Sequence, residues 1–209
     1  MRKFLLLVLL FTSIPLFAAP IVVDAVDWDN PSTTVATGDL GGVGVTLTTT
    51  NIFSLLTNSN IFNNPNYAPQ MSGVDALGIE LFNTTTTITF DQAVVDPIFH
   101  FTDLDSSLTF DPSITLTRLS GNSQFDVVGN QVFDNTPNSG SDSQGSVQLT
   151  GSFLSISFDA QITTPPTGDG TFFQLGGTVD QTTVPEPSTY FAFIFGIAML
   201  FGCRRKIKK

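Results

Sequence analysis

Several residue types are almost missing from this chain of 209 residues, and each gap closes off a class of function. Cysteine occurs once, as Cys203, so the stretch 20–180 has neither a disulfide nor a thiol nucleophile. Histidine occurs once, as His100, so a zinc site built on two or more imidazoles is ruled out. No Gly-x-Ser-x-Gly elbow is present. Basic residues are scarcer still where they would matter. Of the eight lysines and arginines, two open the chain and five close it, leaving Arg118 alone in the body. Seventeen of the 18 acids lie in that body, so its net charge is near −16. A nucleic-acid binder neutralises phosphates with clustered cations, so that class is excluded. Anionic membrane surfaces are disfavoured on the same ground. No long stretch has helical periodicity, and no repeat of 20–50 residues is visible.

The two ends are of a different kind. Arg2 and Lys3 precede an apolar run over 4–17, followed by Ala18 and Ala19. A basic start, a short apolar stretch and small residues predict a secretory signal peptide over 1–19, removed by signal peptidase. At the other end, Val184-Pro185-Glu186-Pro187-Ser188 leads into an uncharged apolar run over 189–203. Arg204, Arg205, Lys206, Lys208 and Lys209 then finish the chain. Cations stay on the cytoplasmic side, so this run predicts a membrane helix with the body outside. It is short for a span, and Gly196 and Gly202 weaken it, which suits a temporary stop. Pro185-Glu186-Pro187, an apolar helix and the basic stop Arg204-Arg205-Lys206 together resemble the PEP-CTERM sorting signal. The resemblance implies an exosortase-type membrane protease as partner. It also implies passage through the inner membrane to the cell surface or extracellular matrix.

The division predicted is therefore signal peptide 1–19, a domain over 20–180, a linker over 181–188, a sorting helix over 189–203 and a cytoplasmic end over 204–209. The body is long enough for one domain with a core of its own. Short β-branched and aromatic runs, separated by Gly, Pro, Asn and Asp, predict an all-β antiparallel sandwich of the jelly-roll or lectin-like kind. Strands are expected at 21–26, 43–49, 78–82, 85–90, 93–103, 113–119, 125–128, 131–133, 146–150, 153–160 and 171–179. The segments 78–82 and 85–90 read as a hairpin or one bent strand, and Pro97 as a bulge or edge. The Asn-rich stretch 51–72 reads as a long loop with a short helix near 53–56. Phe82, Phe90, Phe99, Phe101, Phe110, Phe153, Phe158, Phe172 and Phe173 are expected in the core.

A second resemblance runs over 85–175. Ile88-Thr89-Phe90-Asp91-Gln92-Ala93-Val94-Val95-Asp96-Pro97-Ile98-Phe99-His100-Phe101 is followed in order by Leu116-Thr117-Arg118-Leu119-Ser120-Gly121-Asn122 and Asp126-Val127-Val128-Gly129-Asn130. Gly145-Ser146-Val147-Gln148-Leu149-Thr150-Gly151 and Asp169-Gly170 complete it. This text resembles the lectin-like domain of CshA-type fibrillar adhesins, which implies a β-sandwich and adhesion to host or matrix ligands. Asp103-Leu104-Asp105 stands where that family has a glycine-rich turn, leaving the ligand open.

So acidic a body calls for cations. Calcium takes oxygen ligands and is supplied outside the cell, and Asp24, Asp27, Asp29, Asp103 and Asp105 are its candidates. Solvated turn aspartates are the competing reading, since neither EF-hand spacing nor a calcium-binding repeat is present. Trp28, between Asp27 and Asp29, is a candidate to stack on a sugar ring, or else core filler at a strand end. No catalytic residue is assigned. A carboxylate pair among Asp103, Asp105 and Asp111 is the weakest reading, a small glycoside hydrolase. The expected function is adhesion or association with exopolysaccharide or a matrix protein, without catalysis. The alternative is a calcium-dependent carbohydrate-binding module.

Overall fold

The computed structural model describes residues 24–57, 60–71, 75–80, 83–136, 142–162 and 170–179. The signal peptide, linker, sorting helix and basic end predicted above, with Pro185, Glu186, Pro187, Arg204, Arg205 and Lys206, lie outside these residues. Among the described residues there are fourteen strands and no helix. They are β1 (Asp24–Ala25), β2 (Asp27–Trp28), β3 (Val35–Leu40), β4 (Val43–Thr48), β5 (Ile52–Leu56), β6 (Ala76–Ile79) and β7 (Thr84–Thr102). After them come β8 (Ser106–Phe110), β9 (Thr115–Gly121), β10 (Phe125–Val128), β11 (Gln131–Asp134), β12 (Gly145–Thr150), β13 (Ser152–Ile162) and β14 (Thr171–Val179).

Strand β7 organises the whole. Over Thr84–Phe90 it alternates: Thr84, Thr86, Ile88 and Phe90 are buried, while Thr85 and Thr89 are exposed and Thr87 is half-buried. That period of two belongs to a strand with one face on a core and one in water. From Pro97 to Thr102 every residue is buried, so there both faces are covered. The change happens at Asp96, whose φ of 48° is left-handed, just before Pro97, which has no N–H to give a ladder. The Asp96 N–H donates to the Gly151 carbonyl at 2.8 Å, and the Gly151 N–H donates to Asp96 Oδ1 at 2.8 Å. The register against β14 slips here, between Gly176 and Thr178. Pro97 thus marks a bulge, as its position in an apolar strand predicted.

On one side of this bulge β7 pairs with β4 and β13; β3 extends from β4, and β8, β11 and β10 extend from β13. On the other side it pairs with β12, and with β14, whose ladder also runs across the bulge to Val94; these carry β9, β6, β5 and β1. All these pairings are antiparallel, and the single large sheet is consistent with a β-sandwich. The two parts face each other through aromatic rings. Phe99 beyond the bulge lies 6.3 Å from Phe158 on β13 and 6.0 Å from Phe110 on β8. It also stacks on Phe101 at 5.6 Å, and Trp28 meets Phe173 edge-on at 6.2 Å. Offset and edge-to-face pairs of this kind supply much of the buried area.

Three expectations are corrected. The segment 53–56 is not a short helix but part of β5, because pairing with β6 satisfies its backbone and buries Ile52. The segments 78–82 and 85–90 do not form a hairpin: β6 joins β5 and β14, and the N-terminal part of β7 joins β4 and β13. Strands β3 and β8 fall where none was expected. Ala36 and Leu40 in one and Leu108 and Phe110 in the other are buried, while Val35 of β3 is exposed.

Candidate functional site

Outward side chains line up in rows across β3, β4, β7 and β13. The pairing puts Thr37, Thr46, Thr89 and Ser155 in one row, and Val35, Thr48, Thr87 and Ser157 in the next. Opposed residues on neighbouring strands stand close enough for their side chains to interact. The Thr87 and Ser157 hydroxyls are 2.9 Å apart, and the Thr89 hydroxyl donates to the Thr46 carbonyl at 3.4 Å. The result is a face of hydroxyls held laterally.

At the β8 side this face ends in an open groove of about 420 Å³. It is lined by Thr85, Thr109, Asp111, Asn130, Ser157 and Asp159, with Pro112 at its edge and the buried rings of Phe110 and Phe158 beneath. Asp159 stands between Thr85 on β7 and Thr109 on β8, and takes the Thr85 hydroxyl on Oδ1 at 2.6 Å. Asp111 follows the end of β8 and takes the Ser113 N–H at 2.8 Å and its hydroxyl at 2.6 Å, both on Oδ1. The Ser113 hydroxyl and N–H hold its carboxyl below the usual range. Asn130 is fixed by its side-chain amide, which donates to the Phe110 carbonyl. An acid held ionised cannot deliver a proton, so Asp111 is unsuited to act as a general acid. The groove can give and accept hydrogen bonds.

The other layer carries a polar row as well, but a covered one. Ser120, Ser146, His100 and Gln174 lie side by side on β9, β12, β7 and β14. The strap 60–71 lies over this row. His100 Nε2 faces the Pro69 carbonyl at 3.0 Å. A carbonyl only accepts, so Nε2 carries the proton and Nδ1 accepts from the Ser146 hydroxyl at 2.8 Å. Ser146 Oγ also takes the Ala68 N–H at 3.1 Å, and the Ser120 hydroxyl reaches the Asn66 carbonyl at 2.8 Å. Phe62 and Tyr67 pack beside the imidazole, with ring centroids 5.9 and 5.3 Å away. Burial pulls His100 down to about 4, the Pro69 carbonyl offsetting part of the effect. His100 is thus a satisfied, buried histidine.

The acids named from sequence fall in two places. Asp24, Asp27 and Asp29 are exposed on β1, β2 and the residue after it, and Asp29 accepts the Thr37 hydroxyl at 3.0 Å. Asp27 stands opposite Asp39 on β3, a carboxylate absent from the sequence-based set. Asp103 and Asp105 flank buried Leu104, and Asp103 has φ of 55°. Burial, a hydrogen bond with Asp142 and the charges of Asp142 and Asp105 push Asp103 up to about 6. Among the described residues, no three His, Cys, Asp or Glu side chains converge as a metal site. Trp28 does not face solvent. It is 3% exposed because strand alternation turns it inward while Asp27 and Asp29 turn out, so a role in stacking on sugar is withdrawn. Arg118 donates to the Gly121 and Asn122 carbonyls at 3.2 and 2.8 Å and rests over the Phe125 ring. Asp159, Asn130 and Thr109 were missed because only the pairing of β8 with β13 and β11 gathers them.

No family model, curated protein or solved structure matches the chain.

Proposed function

We propose that this chain is an exported, non-catalytic protein of the cell surface or extracellular matrix whose body binds polysaccharide. The groove between Asp111 and Asp159, opening onto the hydroxyl rows of β4, β7 and β13, carries the reading. Sugar hydroxyls are recognised by convergent carboxylate, amide and hydroxyl groups. The groove offers these over an apolar floor, and the rows continue it for the length of an extended ligand.

Export and sorting are the second half of the proposal. The ends of the sequence support it through their likeness to a secretory signal and a PEP-CTERM tail. Signal peptidase and an exosortase-type protease would process the chain, with the apolar run over 189–203 held in the inner membrane beforehand. The body's resemblance to the CshA-type lectin-like domain, and a jelly-roll or lectin-like sandwich, agree with adhesion to a matrix. Calcium-dependent carbohydrate binding is the alternative.

A glycan array probed with the exported protein, with calcium and with chelator, tests the binding half. Oligosaccharide binding that shifts the amides of Thr85, Thr109 and Asn130 is expected; no bound glycan, or binding that leaves those amides unmoved, defeats it. Binding abolished by chelator would favour the calcium alternative. Mass spectrometry of protein recovered from the producing cell is expected to show both ends removed. Intact ends would defeat the sorting half.

A further inference from the structure

We infer that the groove selects an amino-sugar polymer carrying protonated amines, that is, a partly de-N-acetylated hexosamine glycan, over neutral and uronate polymers. This rests on the reading of the groove as a polysaccharide site. Both charged groups that line it, Asp111 and Asp159, are carboxylates, and each is anchored through Oδ1. Their Oδ2 atoms have no hydrogen-bond partner among the described residues. Two anionic acceptors, fixed in direction and each with a free oxygen, suit an ammonium donor. A hydrogen bond between charged partners is roughly twice as strong as one between neutral groups.

The placement supports two contacts rather than one. Phe158 stands opposite Phe110; Asp159 follows Phe158 on β13, and Asp111 follows Phe110 just past the end of β8, so the two acids flank that pair. Both line the one groove, so a ligand lying in it can reach both carboxylates. Thr85, Thr109, Ser157 and Asn130 between and around them can serve the sugar hydroxyls. Exclusion works in the same direction. Among the described residues no cation lines the groove, and the one arginine of the body is engaged on β9 with the carbonyls of Gly121 and Asn122. A uronate entering the groove meets only like charge, and a neutral sugar forgoes both charge-assisted bonds.

The test is calorimetric titration of the exported protein with three probes of equal length: glucosamine oligomer, N-acetylglucosamine oligomer and a uronate oligomer. Amide shifts locate each. The glucosamine oligomer is expected to bind roughly tenfold more tightly than its N-acetylated counterpart, and to weaken with added salt. Asp111→Asn and Asp159→Asn are each expected to weaken it by about fivefold to tenfold, about 1–1.4 kcal/mol at 25 °C. The variant Asp91→Asn removes an exposed charge from the same layer, well along β7 from Thr85 and the groove, and is expected to stay within about twofold. An equal loss in that control would show diffuse attraction to a polyanion and overturn the inference. Equal affinity for the N-acetylated probe at the same amides overturns the inference alone and leaves the glycan reading standing. Silence of those amides to all three probes overturns both. Uronate binding that appears only with calcium would replace the ammonium with a bridging metal.

Discussion

On the layer built around residues 84–91 of β7, Thr85, Thr89 and Asp91 point outward and are exposed. On the layer built around residues 97–102, His100 points outward and is 1% exposed, because the strap 60–71 lies on it. Both faces are polar. The open one settles its hydroxyls sideways, as in Thr87 with Ser157, and keeps water as the other partner. The covered one has lost water and must find every partner in protein, and the strap supplies them from its backbone: the Pro69 and Asn66 carbonyls and the Ala68 N–H. A polar row on a sheet is therefore not one kind of thing. Left open it is cheap and free to meet a ligand; covered, it becomes a lock whose parts cannot be removed singly.

Breaking that lock should have the largest effect. Ser146→Ala deletes the hydroxyl that bonds His100 Nδ1 and accepts the Ala68 N–H, leaving one buried and one part-buried group without partners. Each such group costs about 1–3 kcal/mol. A loss of about 2–4 kcal/mol is expected in urea unfolding, with faster hydrogen exchange at Ala68 than in the strands. A loss under about 0.5 kcal/mol would show that the strap is held by Phe62 and Tyr67 packing alone.

Acid should act on the same lock more gently. Unfolded, the His100 imidazole titrates near 6.5; folded, at about 4. As pH falls below 6.5 the unfolded chain takes up a proton that the folded chain refuses, so this group removes stability down to about pH 4 and no further below it. Asp103 works in the opposite sense. Its folded value of about 6 lies above its ordinary 3.8, so the folded chain binds that proton first and regains stability as pH falls from 6 to 3.8. The other titratable group at the imidazole, Tyr67, is pushed up to about 12 and stays neutral throughout. His100→Gln should flatten the acid limb of the melting profile. Asp103→Asn should raise the melting temperature above pH 6 by a degree or so, since asparagine tolerates the left-handed backbone there. Unchanged pH profiles in both variants would refute this assignment.

How much of this was legible follows the same division. The alternation of 84–90 and the proline of 97 could be read directly, because one face in water leaves a period of two and a missing N–H leaves a bulge. Trp28 was legible in the alternation with its two acids, although its acidic neighbours suggested the surface. The strap was not, because Asn-rich text over 60–71 carries no periodicity, and only Ser146 and His100, distant in sequence, explain why it lies down. Strands β3 and β8 escaped because Gly38, Asp39, Ser106 and Ser107 are poor strand formers that pairing overrides. The groove shares that limit. Asp111 was visible as a turn acid, but Asp159 became its partner only through the register of β8 on β13.

The smallest effect belongs to the open face, and there the comparison is sharpest. Thr87 and Ser157 bond each other much as Ser120 and Ser146 do beneath the strap, at 2.9 Å in both pairs. Equal geometry would mean equal energy if the hydrogen bond itself decided stability. Solvent decides instead. Ser157→Ala leaves the Thr87 hydroxyl beside water, which replaces the lost partner, so stability should change by no more than about 0.5 kcal/mol. Ser120→Ala, matched in chemistry, strands the Asn66 carbonyl in a part-buried site, while Ser146 keeps His100 and Ala68, and should cost about 1–2 kcal/mol. Urea unfolding of the two single variants measures the difference directly. Equal losses would mean that the strap admits water, and that the two faces differ in outline only.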